Sequence, residues 1–366
     1  MTRVSARIRC LFLLIAAVAL LTGRNRSLGS PLPSSPQSYM ARDPVADIFF
    51  LDSSRGWISK GYERTVLLRT DDGGESWRVI NRDVGLSRLF FVDPNLGWGF
   101  RGVPSESEEV KIELVSTQDG GYSWRPLATI ATAPGPVITD LFFLDERHGW
   151  FIGTQDYGRS LVFATNDGGS SVQEVPELSG RDYSTYGIFG DQASGHIWIV
   201  GEETIVHSGD RGLTWQSQFV RDSLPSRGAQ IDLQAGLILP DGHGWTVGIR
   251  SGGIILSTED YGRHWRVAFR DSEAHSFRSV SFWDEQHGCV VGGSSLLLCT
   301  SDRGVRWTPR LVLPRSSGER MNLNDVGDFN KLVTPGPRRW WVLGDVGFLF
   351  QTDDGGDTWV PADLPK

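Results

Sequence analysis

"TDDGGESW" (residues 70–77) returns near the end of the chain as "TDDGGDTW" (residues 352–359). Two acids, two glycines and a tryptophan in eight positions suit a metal loop, a phosphate cradle, a catalytic carboxylate pair or a turn that one fold uses many times. Counting decides among them. The pattern Ser/Thr-x-Asp-x-Gly-x-x-Trp begins at Thr70, Thr117, Thr165, Ser208, Thr258, Thr300 and Thr352, with successive starts 47, 48, 43, 50, 42 and 52 residues apart. Six copies are complete, and the third, "TNDGGSSV", has Val172 in the tryptophan position.

A second signature accompanies the first: an aromatic run, an Asp, a short turn, then Gly-Trp. It reads "IFFLDSSRGWISKG", "LFFVDPNLGWGFRG" and "LFFLDERHGWFIG" in the first three units and persists as "HIWIVG", "HGWTVG", "HGCVVG" and "RWWVLG". Each unit therefore reads as four short β segments joined by turns, over Ala46–Leu51, Trp57–Lys60, Val66–Thr70 and Ser76–Ile80 in the first. Four strands in a repeat of about 40–50 residues match a propeller blade. A linear solenoid would expose a polar cap at each end, and none is evident, so the expectation is a closed, all-β ring of seven blades. The domain reading is a signal peptide or N-terminal anchor over 1–29, a linker over 30–43 and the propeller over 44–366.

The motif resembles the Asp-box, or BNR repeat, of sialidases, sortilin-type receptors, some glucanases and photosystem II assembly factors. In those families the box is a hairpin turn between the third and fourth strands of a blade. The residue chemistry agrees. Asp72, Asp119, Asp167, Asp210, Asp260, Asp302 and Asp354 can each accept backbone N–H bonds inside their own turn. Gly74, Gly121, Gly169, Gly212, Gly262, Gly304 and Gly356 permit positive φ. Trp77, Trp124, Trp215, Trp265, Trp307 and Trp359 are large enough to fill the space between blades. No metal is expected, because the bidentate Glu and spaced oxygens of a calcium loop are absent. No box carries the Lys-Ser/Thr of a phosphate loop, and no cofactor is expected.

The N-terminus points to export. Arg3, Arg7 and Arg9 precede the apolar run Leu11 to Leu21, the layout of a secretory signal. Such a run is short for a bilayer span, which needs about 20 residues, so membrane association is expected only if the segment stays uncleaved. Arg24 occupies the place of a lipidated cysteine in "LLTGR". The expected location is periplasmic or extracellular, and the expected state a monomer. The net charge of -8 disfavours a nucleic-acid partner. Cys289 replaces the second-strand tryptophan of the sixth unit, and Cys299 precedes Thr300. A hairpin centred near Ser294 would set the two cysteines opposite each other, as a disulfide in an exported protein or as two small apolar residues.

Identical acids on every blade cannot be a catalytic pair, so function belongs on the face opposite the boxes. Candidates at the channel mouth and its basic rim are Asp47, Arg88, Arg101, Asp140, Arg159, Tyr186, Arg278 and Asn324. Through "LFFVDPNLGWGFRG…STQDGGYSWRPL" and its relatives, nearly the whole mature chain resembles the propeller-type photosystem II assembly and stability factors. That resemblance implies an exported, non-catalytic protein that binds an assembling membrane-protein subunit through a basic patch. Two departures stand out: no lipid-anchor cysteine, and arginines scattered among acids. A carbohydrate-binding module is the alternative, with Trp283, Trp340 and Tyr186 as stacking residues. A sialidase- or glucanase-like hydrolase is the weakest reading, because no Phe-Arg-Ile-Pro segment precedes the first box and one ring offers no cleft between two propellers.

Overall fold

The computed structural model describes residues 44–365 except 62–64, 105–109, 134–136, 156–158, 180–183, 219–230, 250–251, 272, 274, 311–326 and 346. The expected signal or anchor (1–29) and linker (30–43) lie outside the described residues. Seven four-stranded antiparallel sheets follow one another along the chain. In the first, β1 (Val45–Phe50), β2 (Gly56–Lys60), β3 (Val66–Thr70) and β4 (Arg78–Asn81) pair in sequence order. The expected segments of this blade hold to within about two residues; the fourth begins later because Ser76 and Trp77 belong to the turn.

Every sheet is built from four consecutive strands. Among the described residues no strand is shared between the first and last blades, which are joined by side-chain contacts and by a backbone bond to a loop. Trp341 of blade 7 stacks on Phe50 at 4.8 Å between centroids. The Val45 amide donates to the Gly347 carbonyl at 2.9 Å. Lys331 Nζ donates to Asp47 Oδ1 at 2.6 Å. An apolar cluster of Val45, Ile48, Ile58 and Leu68 with Trp341, Leu343 and Leu349 fills the joint.

The other joints repeat one device. In blades 1 to 5 the second-strand tryptophan inserts toward the box of the following blade, and in blades 1, 2 and 5 it also stacks on that blade's first-strand phenylalanine. Trp57 stacks on Phe91 and Trp98 on Phe143 at 3.7 Å, and Trp245 on Phe282 at 3.9 Å. Trp57 and Trp98 also donate their indole N–H to Gly120 and Gly168 carbonyls in the next box, both at 2.9 Å. Burial of such aromatic faces, with the aliphatic residues clustered around them, holds neighbouring sheets together.

Blade 6 departs from the pattern. Cys289 and Cys299 face each other in the second and third strands (Gly288–Gly292 and Leu297–Thr300) and are joined as a disulfide. The missing indole is replaced from the other side. Trp340, the first residue of the second strand of blade 7, turns into this joint, where it lies against Trp283 and within the cluster holding Cys289, Cys299 and Trp359. Trp340 is 1% exposed and Trp283 is half-buried, so the expected sugar-stacking role of Trp340 is corrected: its ring faces protein on both sides. Trp215, in blade 4, meets Trp150 of blade 3 edge-on.

The box turns explain their own composition. In blade 1 the Thr70 hydroxyl donates to Asp72 Oδ1 at 2.7 Å and accepts from the Gly74 amide at 2.8 Å. Asp72 also accepts the Ser76 amide at 2.9 Å and the Ser76 hydroxyl. The hydroxyl–carboxylate–glycine amide arrangement recurs in all seven turns. Gly74 has φ of 83°, and a Cβ there would lie 2.3 Å from the Trp341 ring. The first six boxes thus receive the tryptophan of the blade before them, whereas the seventh receives Trp340 of its own blade. The preceding position also takes positive φ, yet Arg211, Tyr261 and Arg303 occupy it in blades 4 to 6, so the second glycine is required by contact as well as by φ.

Candidate protein-binding face at the channel mouth

In an antiparallel sheet of sequential strands, the first and third run the same way. The third ends at the box, so the first begins on the opposite face, at the mouth of the central channel. There the inner strands share an irregularity. Their pairing with the second strand slips by one residue in blades 1, 3, 4, 5, 6 and 7. A bulge leaves one residue unpaired and re-aims its side chain. The residues so released are Ala46, Thr139, Tyr186, Gln234, Arg278 and Asn330, and all are half-buried. Blade 2 has no slip; Arg88, also half-buried, begins its inner strand (Arg88–Phe91).

Two of the expected site residues, Tyr186 and Arg278, are therefore bulge residues. Arg278 reaches into blade 7, donating to Asp328 at 2.6 Å, to Asp345 at 2.9 Å and to Asn330, the neighbouring bulge residue. Arg88 donates to the Thr139 carbonyl in the bulge of blade 3 and to the Ser87 carbonyl, each at 2.8 Å. Asp47 is 2% exposed and accepts the Leu89 amide of blade 2 at 2.8 Å besides Lys331. Asp140 accepts the Ile188 amide of blade 4 at 3.1 Å. Burial pushes the Asp140 carboxyl up, against the pull of the Ile188 amide and the charges of Arg88 and Lys331. These side chains tie the inner strand of blade 7 to blade 1, blade 1 to 2, 2 to 3 and 3 to 4, and join blade 6 to blade 7.

Arg101 and Arg159 stand farther out, in the second strand of blade 2 (Gly97–Pro104) and at the start of the third strand of blade 3 (Arg159–Thr165). Arg101 is paired with Glu113 at 2.8 Å. The Arg159 side chain is exposed and makes no hydrogen bond or ion pair with the described residues. Asn324 lies outside the described residues. Sequence reasoning overlooked Thr139, Gln234, Asn330 and Lys331. Their signal was present in "VITDLFF", "DLQAGLI" and "FNKLV", where a polar residue interrupts the alternation of an otherwise apolar strand.

One further polar group sits near Tyr186. Asp232, which opens the inner strand of blade 5 (Asp232–Ile238), is pushed up to about 6 by burial and by the neighbouring charges of Glu202 and Glu203. Burial also pushes the Tyr186 hydroxyl up. The mouth is therefore mixed in charge: Arg278 is paired with Asp328 and Asp345, Lys331 is paired with Asp47, and acids gather between blades 4 and 5. Among the described residues no group of three or more His, Cys, Asp or Glu side chains is placed to hold a metal ion.

Comparison with known proteins meets this architecture. The chain is 30% identical over 120 residues to the photosystem II assembly lipoprotein Ycf48 of Synechococcus sp. (strain CC9902), a match covering 32% of each protein. It is 31% identical over 86 residues to the chloroplastic photosystem II stability/assembly factor HCF136 of Oryza sativa subsp. japonica, covering 22% of this chain and 19% of that protein. These matches thus span a third or less of the length of the curated relatives. The solved structure of YCF48 bound to D1 peptide superimposes with a TM-score of 0.58 at 20% identity, over 85% of this chain and 93% of that one, a likeness of fold. The sequence profile of the family described as "Photosynthesis system II assembly factor YCF48" matches residues 122–273, 229–328 and 272–366. With two thirds of its length matched, and with seven boxed blades, the chain belongs to the YCF48 family of photosystem II assembly factors.

Proposed function

We propose that the protein is an exported, non-catalytic propeller that holds an extended segment of an assembling membrane-protein subunit against its channel mouth. The observation that carries the reading is the ring of bulges, which sets half-buried polar side chains from successive blades around one opening on a family fold of assembly factors. An extended peptide leaves its backbone N–H and C=O groups unpaired, and a rim of amides, hydroxyls and guanidinium groups answers them without demanding one sequence. The exposed Arg159 and the partly exposed Arg101 add a cationic approach from blades 2 and 3. The named relatives are a lipoprotein and a chloroplast protein, which supports an exported site of action. A protein partner is preferred to a glycan because the best stacking candidate, Trp340, is buried.

The test is direct binding. A peptide of the D1 subunit, the ligand in the structure of the relative, is titrated into the purified protein and binding followed by calorimetry. Binding is expected, with affinity lowered tenfold or more when Arg101 and Arg159 are both changed to Glu. Unchanged affinity in that double variant, or no binding at all, counts against the reading.

A further inference from the structure

On the box face, the joint between blades 4 and 5 carries a pair of histidines found in no other joint. His196 begins the second strand of blade 4 (His196–Gly201), and His207 lies in the third (Thr204–Ser208). Nδ1 of His196 and Nε2 of His207 are 2.8 Å apart, a hydrogen bond in which one imidazole donates and the other accepts. Trp198, the joint tryptophan of this blade, stacks on His207 at 4.7 Å between centroids, and Tyr261 from the blade 5 box lies 4.9 Å from the His196 ring. Gln218 fastens the same joint, accepting from Trp198 Nε1 at 2.9 Å and donating to the Tyr261 carbonyl at 3.3 Å.

Blade 1 shows what this position does when its charge is permanent. Arg69 pairs in register with Trp57 as His207 does with Trp198. Its guanidinium lies 5.2 Å over the Trp57 ring and donates to the Pro94 carbonyl of blade 2 at 3.1 Å. In blade 4 the corresponding side chain bonds to a second imidazole instead.

We propose that the His196–His207 pair is an acid-sensitive latch on the joint between blades 4 and 5. Facing nitrogens can share one proton; when both imidazoles are protonated, donor faces donor and two like charges stand within about 3 Å, a repulsion that the half-buried site screens poorly. The surroundings do not offset it. Asp191 and Asp210 are the nearby acids, but the amides of Ala193 and Ser194 hold the first, and the box of blade 4 holds the second. Arg263 of the blade 5 box adds positive charge, and Arg211 is turned to Asp145. Burial, then the His196 charge, lowers His207 from 6.5 to about 4, and burial lowers His196. With the folded value below the unfolded one, the closed joint is fully stable above about pH 6.5 and loses stability as the pH falls toward 4. The strands freed first are those that carry Trp198 and the Tyr261 contact.

The experiment is amide hydrogen exchange on the full chain at pH 6.5, 5.5 and 4.5, normalised for the intrinsic chemical rate. Opening of residues 196–218 and 258–265 is expected to increase roughly 40-fold across this range from His207 alone, while the box at 70–77 changes little. In His207→Gln, whose amide can still bond His196 without titrating, the part owed to His207 is lost and only the smaller dependence from His196 remains. The same pH dependence in that variant, or an equal increase at every joint, would overturn the latch. A histidine NMR titration of the unaltered protein keeps the test independent of how the variant folds: a His207 value near 6.5 overturns it, and one near 4 supports it.

Discussion

The box glycine and the box aspartate carry different loads. Gly74 combines φ of 83° with a Cβ position 2.3 Å from Trp341, so Gly74→Ala must strain the turn and displace the ring that closes the propeller. A loss of about 2–4 kcal/mol in urea unfolding is expected, whereas Gly336→Ala, with nothing within 4 Å of its Cβ, should stay within about 0.5 kcal/mol of the parent. The aspartates act through charge. Burial raises the Asp72 carboxyl, but the Ser76 hydroxyl and amide and the Thr70 hydroxyl outweigh it and bring the value down to about 2. Asp210 and Asp354 reach about 2 chiefly through the hydroxyls of Thr214 and Thr358. A depressed carboxylate stabilises the fold above its unfolded value of 3.8 and loses that contribution as the pH falls through its folded value. Stability should therefore fall between pH 4 and pH 2, and more gently in the Asp72→Asn/Asp354→Asn double variant, as read by denaturation at each pH. The boxes were legible because one local turn needs the same residues each time; Val172 is tolerated because the third turn keeps its Thr165–Asp167–Gly169 bonds without the ring.

At the scale of the element, the blades are equivalent in outline and individual in their joints. Blade 6 replaces an indole with a disulfide and takes its missing bulk from Trp340 of the next blade. Cys289→Ala/Cys299→Ala should lose about 2–3 kcal/mol, from restored freedom in the unfolded chain across a 10-residue separation. Adding reductant to the unaltered protein should lower its melting temperature and leave that of the variant unmoved. Trp340→Ala should cost about 3–5 kcal/mol. The opposition of the two cysteines follows from strand spacing, but the sequence left open whether they bond or stay two small apolar residues. The inward turn of Trp340 was not legible, because "RWW" offers two adjacent rings and only packing against the neighbouring blade decides which one enters which joint. Bulges were missed for a related reason: a slip of one residue changes which side chain faces the channel while leaving composition and strand length almost unaltered.

At the scale of the whole molecule, closure rests on few groups. Asp47 is almost fully buried, and Lys331 is its cationic partner. Lys331→Ala leaves that carboxylate with its Ile48 and Leu89 amides but no cation, and a loss of about 1–3 kcal/mol is expected; Asp47→Asn/Lys331→Met should recover part of it. A double-mutant cycle from chemical denaturation checks both values. The number of blades, their strand count and the face opposite the boxes could all be read from the repeat. The proposed binding surface could not, because the residues that compose it come from seven separate positions whose juxtaposition exists only once the ring has formed.

Because each sheet uses four consecutive strands, the position of the chain ends is a matter of history more than of mechanics. No sheet would have to be rebuilt if the backbone were cut between blades 5 and 6, at residues 270–277, and the old ends were joined by a flexible linker. Such a circular permutant should keep the circular dichroism and the cooperative unfolding of its parent, whereas a propeller knitted shut by a shared strand would lose a sheet at its new ends. The same property lets whole units be duplicated or exchanged without disturbing a sheet, so variety in the channel mouth can accumulate blade by blade.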